Sequence, residues 1–171
     1  HRKGSASTAN LTPAAIEETV AKALSIASFT ADDEFAGLPD ADRMAERLPD
    51  LDLSHPWPLE APDAIELARR CEAAALAFDA RIRNSEGASV STHRKLRVFG
   101  NSHGFVGGYP STSHSVSCVV VGQSDADMQR DYWYTAARDW RALEDAEEVG
   151  RKAAEKAVRR LGAEKLPTRK A

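Results

Sequence analysis

A chain of 171 residues, 42% apolar and 29% charged, has the make-up of an ordinary globular protein and the length to bury a core, which excludes a disordered segment. Its 26 acidic side chains outnumber 23 basic ones, and a net charge of -3 argues against a nucleic-acid partner, which calls for a basic face. No apolar run approaches the roughly 18 residues that span a bilayer, so no membrane partner is expected.

Residues 4–10 alternate small and polar side chains and predict a short strand. Thr12 then offers an N-cap and Pro13 the first helical position. In the helix that follows, Ile16, Val20, Leu24 and Ala27 recur every three or four residues, a stripe expected to face a sheet or another helix. Prolines and aspartates crowd residues 31–61, which disfavours long regular structure. Leu48, Leu51, Leu53 and Trp57 supply enough apolar surface to pin this stretch, so it is expected to be an ordered connection within one domain spanning 1–171.

Pro62 opens a second helix, with Asp63 and Glu66 near its positive N-terminal end. Its buried stripe is expected to hold Ala64, Leu67, Ala68, Cys71, Ala74, Ala75 and Phe78. After Asp79 the period changes to two, through Val90 and Thr92, Leu96 and Val98, Val116, Cys118 and Val120, then Tyr132 and Tyr134. Glycines at 87, 100, 104, 107, 108 and 122 punctuate these runs and predict four or five antiparallel strands, with a bulge at Gly107-Gly108. A third helix has Glu147 and Glu148 at its start, Arg159 and Arg160 at its end, and Gly162 as a C-terminal cap. Its stripe is Val149, Ala153, Ala157 and Leu161. The fold class is therefore α+β: a meandering antiparallel sheet of four to five strands packed with about three helices.

Cys71 and Cys118 are the two cysteines. They read as small buried apolar residues, and such sparse cysteine usage points to a reducing, cytoplasmic setting. The chain starts HRKGSASTAN, without an initiator Met, and is expected to be a fragment of a longer protein.

Residues that could carry chemistry have bland readings beside them. His93, His103 and His114 fall in the sheet region at no metal-motif spacing, and H-E-x-x-H and H-E-x-x-x-H are both absent, so no metal site is expected in this chain. NSEGAS and GNSHGF read first as turns, although Glu86 with His103 or His114 would suit a small hydrolase. His55 and Trp57, in SHPWP, mark either a recognition loop or a loop anchored by its indole. In RDYWYTAARDW, Tyr132 and Tyr134 share one strand face and Trp133 takes the other. With Arg130 they are candidates for contact with a substrate or another subunit.

The phrases DLDLSHPW, AIELARRCEAAALAFDARIRNSEGAS, VFGNSHGF, MQRDYWYT and RRLGAEKLPT, in this order, resemble the PmbA/TldE half of the TldD/PmbA family. The resemblance covers nearly the whole chain and implies the middle segment of a longer subunit. It implies a metallopeptidase built as a TldD/TldE heterodimer, acting on unfolded or small peptides, in a family earlier labelled a modulator of DNA gyrase. Zinc is then expected in the TldD-like partner, on an H-E-x-x-x-H helix, and not in this chain. The leading expectation is a noncatalytic subunit segment forming a substrate-cavity wall and a subunit interface, without catalytic residues of its own. A gyrase-modulating or other interaction module, or a small His/Glu hydrolase, are the alternatives.

Overall fold

A computed structural model describes residues 1–125, 127–164 and 166–168; Lys165 of the RRLGAEKLPT phrase and the last three residues of the expected domain lie outside the described residues. The chain divides into two compact units, His1–Arg47 and Leu48–Ala171, and the division falls inside the Pro/Asp-rich stretch 31–61.

The first unit is organised around α1, Pro13–Phe29, which starts as expected with Thr12 as N-cap and proline in the first turn. No strand forms over residues 4–10. The extended N-terminus instead runs back along the end of α1, where Thr30 Oγ1 donates to the Lys3 carbonyl at 3.0 Å and Asp33 N–H to that of His1 at 2.7 Å. The expected stripe on α1 is largely bare: Ile16, Val20 and Leu24 keep 46%, 54% and 68% of their surface. Its periodicity is helical, as read, but nothing within its own unit buries it.

The second unit contains α2 (Ala61–Leu76), β1 (Ile82–Gly100), β2 (Val106–Gln123), β3 (Met128–Ala137) and α3 (Ala146–Arg160). The strands form one antiparallel sheet in the order β1-β2-β3. Three long strands thus replace the four or five expected, because most of the glycines lie inside strands. Gly107 and Gly108 pair regularly with Phe99 and Val98, and the ladder's irregularities lie instead between Ile82 and Asn84 and between Ser85 and Gly87. NSEGAS is consequently a bulge in β1, not a turn: Gly87 takes φ 104°, a left-handed value few other residues tolerate, and its N–H is satisfied by Ser85 Oγ at 2.8 Å. GNSHGF is the hairpin turn it resembles, with Asn101 Oδ1 accepting from the N–H groups of His103 and Phe105.

Both helices pack on one face of the sheet, placing Cys71 and Ala75 of α2, Val116, Cys118 and Val120 of β2, and Val149, Ala153, Ala154 and Ala157 of α3 in a single core. Small residues let the helices approach closely. A Cβ added at Gly150 would run into the carbonyl of Cys71 and stand 3.1 Å from the Ala75 nitrogen, so this crossing requires glycine. α3 is capped at its start by Asp145, which accepts from the N–H groups of Glu147 and Glu148. Cys71 and Cys118 are free thiols with no exposed surface. The neighbouring Cys118 thiol together with burial pushes the Cys71 thiol well above its ordinary pKa.

Candidate functional site

Alternation along the strands sorts the candidate residues into two places. Even-numbered side chains of β2 face the helices: Thr112, His114, Val116, Cys118 and Val120 are all buried. The odd-numbered Ser111, Ser113, Ser115 and Ser117 face the other way, onto a surface that no element of the second unit covers. On neighbouring strands Ser117 stands opposite Ser89 and Tyr134, and Val119 opposite Tyr132.

Tyr132 and Tyr134 therefore lie together on this open face, 49% and 56% exposed, with stacked rings 6.3 Å apart. Arg130 shares that face, where its guanidinium donates twice to Glu86 across the sheet at 2.6 and 2.7 Å. The hydrogen bonds from Arg130 hold the Glu86 carboxyl below its ordinary pKa. Glu86 is thus committed to an ion pair on the open face, whereas His114 is buried on the opposite one, so the two do not form an acid/base pair. His103 sits in the hairpin turn.

Trp133 takes the other side of β3 and packs against the core. Its ring NH faces the Glu144 carboxylate at 3.4 Å, which also accepts from Lys152 Nζ at 2.6 Å. Beside it, Asp131 is buried and ion-paired with Lys156 at 3.4 Å and Arg160 at 3.2 Å. Burial pushes its carboxyl up, but the Tyr132 N–H, Arg160 and Lys156 outweigh this and leave it below the ordinary range. The same two cations donate to the carbonyls of Tyr132 and Arg130 at 3.3 Å, occupying acceptors of β3, the edge strand on that side of the sheet.

His55 and Trp57 form a separate cluster at the end of β3. There Thr112 N–H donates to the Leu53 carbonyl at 2.8 Å, and Thr112 Oγ1 accepts from His55 N–H at 2.9 Å while donating to the Arg138 carbonyl at 2.7 Å. His114 Nε2 is 2.9 Å from the His55 carbonyl, which can only accept, so that nitrogen carries a proton. Nδ1 then lies 2.8 Å from the Thr92 hydroxyl. Trp57 stacks on Trp140 with centroids 5.7 Å apart and meets the His114 ring edge-on at 5.6 Å. The side-chain and backbone bonds from Arg141 hold Asp139, which bridges to His55, down to a pKa of about 2. SHPWP is accordingly a pinned loop, and nothing in its geometry resembles a catalytic array.

Among the described residues no three His, Cys, Asp or Glu side chains gather as a metal ion would require. Zinc does not fit these residues.

The structure brings the candidate residues Tyr132, Tyr134 and Arg130 onto one face, beside serine rows that the sequence reading had not singled out. The signal was present in S-T-S-H-S-V-S, where every second residue from 111 to 117 is serine. Each of these four outward positions thus carries only a small hydroxyl.

A family model described as the PmbA/TldA metallopeptidase central domain matches residues 54–161. The chain belongs to the PmbA/TldA metallopeptidase family. It is 48% identical over 171 residues to the metalloprotease PmbA of Escherichia coli O157:H7 and 44% identical over 168 residues to the PmbA homolog of Haemophilus influenzae. These matches cover 100% and 98% of this chain but only 38% and 37% of those relatives, so the chain spans little more than a third of their length. Among solved structures, a Bacteroides thetaiotaomicron protein described as a modulator of DNA gyrase superposes with a TM-score of 0.83 at 29% identity, over 96% of this chain and 38% of that one. TldE from Thermococcus kodakarensis shares the fold, with a TM-score of 0.64 at 20% identity over 91% of this chain and 34% of that one. No described helix is long and apolar enough to cross a membrane.

Proposed function

We propose that this chain is a noncatalytic PmbA/TldE-like segment of a peptide-processing metallopeptidase, providing a wall of the substrate cavity and a surface for a TldD-like subunit that carries the zinc. The observation that carries this reading is the open sheet face. A sheet with one face packed and the other lined by serines, two adjacent half-exposed tyrosines and an Arg–Glu pair suits contact with a polypeptide: tyrosines offer large rigid area, and the hydroxyls offer hydrogen bonds. The substrate is an unfolded or small peptide, held in extended form by strand addition. Tyr132, Tyr134 and Arg130 are the contact residues under this reading, while Trp133 packs on the core behind them and His55 and Trp57 pin the separate loop at the end of β3.

The test is to incubate the chain with unstructured peptides, with and without zinc, alone and with a TldD-like subunit. Alone it cleaves nothing, and a photo-crosslinking residue at Tyr134 captures the subunit or the peptide. Zinc-dependent cleavage by the chain alone would falsify the proposal. A second reading follows the description carried by the Bacteroides neighbour, a gyrase modulator. Under it the same crosslinker captures gyrase.

A further inference from the structure

The register of the ladder determines which backbone groups of the sheet are left over. Thr112 N–H points away from β1, to the Leu53 carbonyl, whereas Gln123 N–H points toward β1, to the carbonyl of Arg81. Even-numbered residues of β2 therefore turn their backbone groups away from β1, and in an antiparallel pair their partners on β1 do the same in the opposite direction. Ala88, Val90, Thr92, Arg94, Leu96 and Val98 consequently present their N–H and C=O groups outward. Among the described residues no backbone hydrogen bond reaches them.

The far side of the sheet is closed by comparison. Lys156 and Arg160 occupy carbonyls of β3. Where β2 runs on past the end of β3, the Leu53 segment bonds to Thr112, and Pro110, whose nitrogen faces the same way as that of Thr112, has no hydrogen to offer. Among the described residues of the second unit one long edge is left available, and it belongs to β1.

Side chains beside that edge give it a chemical preference. His93, Lys95 and Arg97 alternate on the open face, and Lys95 and Arg97 border a hollow with Tyr109 and Ser111. Arg94 adds a cation on the other face. None of these four is in an ion pair among the described residues, although the chain as a whole is acidic. Leu96 and Val98, on the same side as Arg94, are 73% and 62% exposed. A strand added to β1 would lay alternate side chains beside the cations and the intervening ones beside these two apolar residues.

We infer that the outer edge of β1 takes an extended acidic peptide, with carboxylates at alternate positions toward Lys95 and Arg97 and apolar side chains between them toward Leu96 and Val98. This rests on the reading of the chain as a peptide-holding segment and specifies the class of peptide. Backbone pairing supplies the docking geometry, and charge selects the sequence.

The test uses the 171-residue chain and fluorescein-labelled eleven-residue peptides: one alternating Glu and Val, one alternating Lys and Val, and the Glu–Val peptide methylated on alternate backbone nitrogens. An oligothymidylate of equal charge is the fourth ligand. The Glu–Val peptide is expected to bind about tenfold more tightly than the Lys–Val peptide, since two exposed ion pairs are each worth a few-fold at most. Backbone methylation abolishes the binding, and amide NMR signals from Ala88 to Val98 shift. The double variant Lys95→Glu/Arg97→Glu loses about tenfold for the acidic peptide, with Lys95→Gln/Arg97→Gln between it and the parent. Both positions tolerate exchange because their side chains are exposed, and a thermal melt checks that each variant folds.

Equal binding of both peptides, still sensitive to methylation, would overturn the acidic preference while leaving the peptide-holding reading standing. No binding of any peptide would remove both. Tighter binding of the oligothymidylate, or chemical shifts confined to Tyr132 and Tyr134, would overturn the assignment to this edge.

Discussion

The two faces of the sheet are built from the same three strands, yet one is closed and the other open. Toward the helices, β2 carries Thr112, His114, Val116, Cys118 and Val120, none with more than a trace of exposed surface. One residue away along the same backbone it carries Ser111, Ser113, Ser115 and Ser117. The closed face has shape: glycine and alanine where α2 and α3 cross, indole where the loop must be held. The open face carries small hydroxyls along the middle of β2, with Tyr132 and Tyr134 on β3 beside them. Stability is expected to reside in the first and recognition in the second, and substitutions can set the two apart.

The largest effect should come from the helix crossing. Gly150→Val forces a branched side chain against the backbone of α2, and a loss of about 4 kcal/mol or a failure to fold is expected in urea titrations. Trp57→Ala removes the ring stacked between Trp140 and His114 and should cost about 2–3 kcal/mol, with faster proteolysis of the 48–60 loop. Asp131→Ala leaves Lys156 and Arg160 without their shared carboxylate and should cost about 1–2 kcal/mol near neutral pH.

That last difference depends on pH in a definite direction. The folded-state pKa of Asp131 is depressed, so its stabilisation is present above the unfolded value near ~3.9 and fades as the pH falls through the lower, folded value. Thermal melts of the two proteins should converge under acid. The smallest effect is expected on the open face, where Tyr132→Ser with Tyr134→Ser should change stability by no more than about 0.5 kcal/mol while weakening co-purification with a TldD-like subunit. A large loss of stability from this pair would erase the contrast between the faces.

The helices were legible in the sequence because their ends carry local chemistry. Thr12-Pro13, Pro62 and the Glu147-Glu148 to Arg159-Arg160 polarity all mark real termini. Periodicity also placed Cys71, Cys118, Val149, Ala153 and Ala157 in the core. Strand number was not legible, since a glycine that ends a strand and one that sits inside it look alike. Gly107 and Gly108 stay within the ladder because β1 supplies partners from far along the chain, information no local window holds. The strand read at residues 4–10 failed for a related reason: alternation there has no neighbouring strand to pair with in its unit. Within the candidate site, the face shared by Tyr132 and Tyr134 followed from period two alone. The Glu86–Arg130 pair needed the bulge at Ser85–Gly87 and the register of three strands, neither of which is encoded nearby.

The paired thiols of Cys71 and Cys118 give the second unit a built-in clock. One belongs to a helix and the other to the central strand, and neither has exposed surface. An alkylating reagent can reach them only when α2 lifts from the sheet. The rate at which the chain takes up two labels in native buffer therefore measures how often the closed face opens, and comparing uptake of the first label with that of the second tells whether it opens as one body.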